Sequence, residues 1–349
     1  MFNAALIALS AAALFGATTP LAKILLGALS PFMVAGLFYL GSGIGLACCI
    51  LIRRLRQNTR ERGHESHIPP AEVPWLLGAI VAGGIAGPAL LMLGLSSTPA
   101  ATSSLLLNLE GVLTAAIAWI VFRENVDVQV FLGMVAIVAG GLLLSWQGAA
   151  GVPTGALLIV GACLCWAIDN NLTRKVSTHD AMTIACIKGL AAGCVNLSIA
   201  LLLGAHLPAT AKLAAALFTG FAGYGVSLVL FVVALRHLGT ARTGAYFSVA
   251  PLFGVALSLA IWPEAPPVAF WLAALFMAAG VWLHIRERHE HVHTHEALEH
   301  NHPHTHDEHH RHAHPFPYDG DEPHTHPHRH APITHSHAHY PDIHHRHSH

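Results

Sequence analysis

Ten stretches of mainly apolar residues constrain this chain more than anything else in it. They fall at about 3–26, 31–52, 73–94, 99–122, 127–146, 154–174, 180–203, 211–235, 240–262 and 267–285. A helix needs about 20 such residues to cross a hydrocarbon core. Lipid offers no partner to a free N–H or C=O, so runs of this length must satisfy their backbone internally, as helices. Most connections are short and carry turn residues: Ser30-Pro31, Ser97-Thr98-Pro99, Gly151-Val152-Pro153 and Pro263 through Pro267. The exception is Arg53–Pro70, which holds Arg53, Arg54, Arg56, Arg60 and Arg62.

Composition agrees. The 349 residues are 54% hydrophobic and 11% charged, against about 25% charged in ordinary soluble domains. A boundary lies near Arg288. Before it, 15 Lys and Arg face 10 Asp and Glu; after it, 3 face 9, and 23 of the 29 histidines are found there. The chain thus reads as an apolar body with a hydrophilic, His-rich extension. The six cysteines, Cys48, Cys49, Cys163, Cys165, Cys186 and Cys194, lie in apolar runs and read as small packing residues. The N-terminal run has no basic region before it and continues past any Ala-x-Ala site, so it reads as the first span rather than a cleaved leader.

The spans are written twice. Residues 93–124 return, degraded, at 233–264, an offset of 140 residues. Leu95 matches Leu235, Ala101 matches Ala241, Ala116 matches Ala256 and Glu124 matches Glu264. Beyond them Val128 matches Val268, Leu132 Leu272, Ala139 Ala279 and Gly140 Gly280. Each half then holds five spans: residues 1–147 form the first repeat and 154–285 the second, with 286–349 as the tail. Arginine and lysine counts in the short loops place the loop after span two in the cytoplasm. Arg123, Arg174, Lys175, Arg236, Arg242, Arg286 and Arg288 fall on the same side, and so do both termini. Five is odd, so the second repeat enters the bilayer inverted, and inverted repeats suit alternating access to a mid-membrane site.

These features resemble the EamA-like branch of the drug/metabolite transporter superfamily, over essentially Ala4–Ile285. The resemblance is carried by Phe15-Gly16 followed by Lys23, echoed in Trp166-Ala167 followed by Arg174. Ser30-Pro31 opens span two; Thr98-x-Ala100 opens span four and is echoed by Thr240-Ala241. Glu124 and Glu264 close spans four and nine. The resemblance implies an all-α integral membrane fold, ten helices in two inverted five-helix repeats around a central cavity. Spans five and ten would lie outside that cavity. It also implies ATP-independent translocation of a metabolite or drug. Tyr39 stands in span two where the family often has Arg, and Lys188 takes the equivalent place in span seven.

Ionisable residues inside spans are costly and usually face a cavity or a partner. Glu110 is central, with Ser103 seven residues before it and Thr114 four after it on one helical face. Ser104, Asn108 and Gly111 line the adjacent strip. Span six places Trp166, Asp169, Asn170 and Thr173 at i, i+3, i+4 and i+7. Lys188 is the countercharge for Asp169 or for Glu110. Tyr39, Tyr246 and Ser248 add polar contacts, and Pro251 is expected to bend span nine and free a carbonyl. Interfacial belts account for Trp146 and Trp262, and helix-end anchoring for Glu124 and Glu264.

The tail lacks apolar periodicity and is expected to be disordered. His-x-His alternation nevertheless puts imidazoles on one side of an extended chain. The candidate metal ligands are His289, His291, His293, His295, His300, His302, His304, His306, His309, His310, His324, His326, His328, His330, His335, His337 and His339. Neutral imidazole suits zinc, nickel, cobalt or copper. No cofactor is required, no nucleophile–base pair or phosphate loop points to an enzyme, and nothing points to nucleic acid. The expected setting is the cell's inner membrane, as monomer or homodimer, with a small solute as substrate. Two alternatives remain. One is efflux of nickel, cobalt, zinc or a chelate fed by the tail; the other is a membrane-anchored metal sensor or buffer.

Overall fold

The structure is a computed structural model. It describes residues 2–56, 69–122, 128–146, 152–173, 176, 180–238, 243, 246–263 and 265–286 of the body, and 290–295, 299–304, 324–329 and 333–338 of the tail. The chain divides into two compact units, Met1–Glu287 and Arg288–His349.

The described body is helical. It holds α1 (Phe2–Leu26), α2 (Pro31–Arg56), α3 (Val73–Ala79), α4 (Gly87–Ser97), α5 (Ala100–Leu106), α6 (Leu109–Phe122) and α7 (Val128–Ser145). Then come α8 (Thr154–Thr173), α9 (Ala181–Leu202), α10 (Thr210–Gly220), α11 (Ser227–Leu238), α12 (Ala250–Ile261) and α13 (Val268–Arg286). Eight continuous helical stretches among the described residues are long and apolar enough to cross a membrane, and two shorter apolar helices follow, at Ala250–Ile261 and Val268–Leu283. The outer surface is apolar: Leu55, Ile120, Leu202, Phe218 and Val268 are each more than two-thirds exposed. An exposed apolar shell of this extent marks an integral membrane protein.

Helix contacts inside the body are close because glycine supplies the crossings. Gly16 of α1 lies against the backbone of Ala250 and Gly254 in α12. Gly36 and Gly43 of α2 meet Leu197, Leu190 and Gly189 of α9. Gly140 of α7 lies on the Ala273 carbonyl of α13, and Gly280 of α13 lies on the Gly133 carbonyl of α7. Helices α2 and α9, α7 and α13, and α5 and α12 form packed pairs, while α1 packs on α11 and α4 on α8.

Two details differ from an uninterrupted set of spans. Span three is α3, a π-helical segment π1 (Ile80–Ala86) and α4; span eight is α10, a π-helical segment π2 (Phe221–Val226) and α11. Span four breaks at Leu107-Asn108 between α5 and α6, and span nine turns at Ser248-Val249 before α12. The four interruptions fall at the 140-residue offset seen in the sequence, within one residue. Pro251 sits in the first turn of α12. There its missing N–H costs no intrahelical bond, so it starts a helix rather than bending one.

Part of the tail is described. Its described residues form four short strands, β1 (Glu290–His295), β2 (Glu299–His304), β3 (His324–Arg329) and β4 (Ile333–Ala338). β1 pairs antiparallel with β4 and β2 with β3. The register sets His291 opposite His337 and His293 opposite His335; it also sets His300 opposite His328, His302 opposite His326 and His304 opposite His324.

Candidate functional site

The site grows from the two interruptions in the first half. In π1 the backbone bonds run from residue i to i−5, and the Gly87 N–H donates to the Ala82 carbonyl. The next donor in that register would be residue 88, a proline without an N–H. The Gly83 carbonyl is thereby orphaned, and an orphaned carbonyl in an apolar interior costs free energy unless it is bonded. Two side chains supply the bonds: Tyr39 Oη donates at 2.8 Å and Trp166 Nε1 at 2.9 Å. Asn196 Nδ2 donates to the neighbouring Gly84 carbonyl at 3.2 Å. Spans two, six and seven are thus tied to one buried turn of span three.

Gly83 also makes room for a charge. Its missing side chain leaves the space that the Asp169 carboxylate fills. Asp169 is buried, and Lys188 Nζ donates to its two oxygens at 2.5 and 2.7 Å. Thr173 Oγ1 donates to Asp169 Oδ1 at 2.8 Å and accepts from Lys188 at 3.3 Å. Sequence spacing left Lys188 with two possible countercharges; the geometry gives it to Asp169.

Glu110 is held differently. It stands in the first turn of α6, just past the break in span four. Exposed backbone N–H groups at a helix start carry a partial positive charge, which favours a carboxylate there. Asn170 Nδ2 donates to Glu110 Oε1 at 3.0 Å and to Thr114 Oγ1 at 3.3 Å. Among the described residues no cation lies at ion-pair distance from Glu110. Among the described residues no group donates to its Oε2, and that oxygen is not sealed in the packing. Gly111 beside it has no atom near where a side chain would start. Glu110 therefore borders free space.

Four spans also contribute a cluster of aromatic rings. Tyr224 of π2 lies 5.4 Å, centroid to centroid, from Tyr39 and 5.7 Å from Phe15; Phe247 lies 5.4 Å from Phe15. α8 links this cluster to Glu110: Trp166 shares the Gly83 carbonyl with Tyr39, and Asn170, one turn after Trp166, donates to Glu110.

The remaining residues singled out by sequence are placed elsewhere. The break in span four takes Ser103 and Asn108 out of phase with Glu110. Ser103 is fully buried and bonds the Pro99 carbonyl, while Asn108 bonds the Leu105 carbonyl and reaches Met277 of α13. Tyr246 and Ser248 lie half-buried at the turn of span nine. Glu124, Glu264 and the side chains of the tail histidines lie outside the described residues. Sequence reasoning missed Gly83, Asn196, Phe15 and Tyr224. The run Gly83-Gly84-Ile85-Ala86-Gly87-Pro88 carried a signal, since glycines followed by proline in a span mark backbone that must find partners elsewhere.

Comparison with known proteins agrees with this architecture. An uncharacterized transporter of Methanothermobacter thermautotrophicus is 28% identical over 290 residues, covering 79% of this chain and 84% of its own. The uncharacterized transporter YyaM of Bacillus subtilis is 25% identical, covering 70% and 82%. The uncharacterized inner membrane transporter YedA of Escherichia coli K12 is 26% identical, covering 70% and 78%. One solved crystal structure superposes with a TM-score of 0.58 over 81% of this chain and 96% of the other, at 19% identity, so the fold is shared. The EamA-like transporter family model matches twice, over residues 2–146 and 153–286. With nearly the whole membrane body matched in two copies, the chain belongs to the EamA-like transporter family.

Proposed function

We propose that the protein is a secondary transporter of a small metabolite or drug-like solute, working by alternating access through a cavity bordered by Glu110. The observation that carries this is Glu110 itself: an intramembrane carboxylate at a helix break, facing free space, with no cation at ion-pair distance among the described residues. Holding such a group in a span costs about 2.5–3.5 kcal/mol on insertion scales, a cost that goes with function. Ten spans in two inverted repeats are supported by the 140-residue offset, by the paired interruptions, and by the reciprocal Gly140 and Gly280 crossings. The loop arginines support cytoplasmic termini, and the family and the inner membrane relative support the cell membrane as the site of action.

The tail is read as a binder of zinc, nickel, cobalt or copper. Antiparallel register puts successive histidine pairs two residues apart along the strands. Metal serves this protein as a tail ligand in this reading, since the described residues of the body hold no cluster of three metal-ligating groups.

Reconstitution into proteoliposomes tests the proposal. Saturable, ATP-independent flux of at least one metabolite or drug-like solute is expected, and flux persisting after deletion of residues 289–349 places transport in the body. Flux of a transition metal alone, lost with the tail, would replace this reading with metal efflux. Folded protein that moves no solute would sink it.

A further inference from the structure

Resting on the transport reading, the geometry points to an organic cation as the substrate class: an ammonium group, from primary to quaternary, on an apolar body. Charge decides first. Of the ionisable groups that meet at the centre, Asp169 and Lys188 cancel each other across 2.5 Å. Glu110 is left with an amide donor on one oxygen and free space beside the other. An anion placed there would meet a bare carboxylate in a medium that screens poorly, while a cation would supply the partner that the protein withholds.

The aromatic cluster decides second. Phe15, Tyr39, Tyr224 and Phe247 come from four different spans and form a continuous aromatic surface with centroid spacings of 5.4 to 5.7 Å. All four keep free surface. Aromatic faces attract ammonium groups, most strongly where water is excluded, and they shelter the apolar remainder of such a solute. Tyr39 cannot easily turn its hydroxyl toward a ligand, because that group is committed to the Gly83 carbonyl at 2.8 Å. Its contribution is its ring. A bare metal ion fits less well, because it needs several oxygen, nitrogen or sulfur ligands converging on one point.

Three phenyl probes of similar size and different charge test this: benzyltrimethylammonium, phenylacetamide and phenylacetate. Binding to the full-length purified protein is measured by calorimetry, and flux of each labelled probe is measured in proteoliposomes. The cation is expected to bind at least about tenfold more tightly than the neutral or anionic probe, a gap of the size that one charge contact and ring faces supply. Glu110→Gln is expected to remove that preference, Tyr224→Leu to weaken cation binding several-fold, and Tyr224→Phe to keep it. Equal or tighter binding of phenylacetamide or phenylacetate overturns the inference, as does a cation preference that survives Glu110→Gln. If neutral or anionic solutes cross while cations do not, the substrate class is wrong and the transport reading stands. If nothing crosses the bilayer, the two readings fall together.

Discussion

Asp169, Lys188 and Gly83 show how a single residue is constrained here. The ion pair is nearly sealed from solvent, at 10% and 16% side-chain exposure. Removing one partner leaves the other as an uncompensated buried charge, which costs on the order of 3–5 kcal/mol. Lys188→Met is therefore expected to lower thermal stability strongly, and Asp169→Asn in the same chain to restore most of it; thermal unfolding in detergent reads this out. A methyl group at Gly83 would collide with the Asp169 carboxylate, whereas one at Gly111 meets open space. Gly83→Ala should impair stability while Gly111→Ala leaves it unchanged. The face Trp166, Asp169, Asn170 was readable from helical spacing. Its three different partners were not, because spacing says nothing of which neighbouring helix a side chain meets.

At the scale of elements, the apolar lengths of the spans were legible, since a hydrocarbon core sets one length for all of them. The interruptions were not. A hydropathy run looks the same across a π-helical turn or a two-residue break, so Ser103, Glu110 and Thr114 were read as one helical face although the break at Leu107-Asn108 falls between Ser103 and Glu110. Pro88 is the residue that a closer reading would have followed. It denies a donor to the Gly83 carbonyl, and Tyr39 and Trp166 supply the replacement. Pro88→Ala returns an N–H to that turn. A double-mutant cycle on stability should then show Trp166→Phe costing about 0.5–1.5 kcal/mol less in the Pro88→Ala background than in the wild type. Equal costs in the two backgrounds would mean that the carbonyl does not need the indole. The crossing of α7 with α13 makes a parallel point. Gly140→Val is expected to force the two helices apart and lower the unfolding temperature, because each glycine lies directly on backbone of the other helix.

The whole molecule combines an apolar body, in which Glu110 has no cation partner among the described residues, with a His-rich tail. The repeat was legible because matched residues, Glu124 with Glu264 and Gly140 with Gly280, survive at one offset. The halves diverge at the residues that carry chemistry: Glu110 has no acidic counterpart at Ala250, and the Pro88 that orphans Gly83 stands opposite Leu228. In the transport reading that divergence puts the cavity's charge on the side of the first half and Tyr224 on the side of the second. The tail carries its own expectation. Purified protein should bind zinc or nickel with a stoichiometry that falls to that of the body when residues 289–349 are deleted, and titration with metal followed by chelation reads this directly.

The central claim is that solute passes beside Glu110. Counterflow in proteoliposomes tests it most directly, with the wild type and Glu110→Gln compared at equal amounts of protein shown to be folded by its unfolding temperature. The account predicts saturable counterflow for the wild type and a loss of at least about tenfold in the variant, the cost of removing one charge contact in a poorly screened site. Full counterflow by Glu110→Gln, with unchanged dependence on pH, would contradict it.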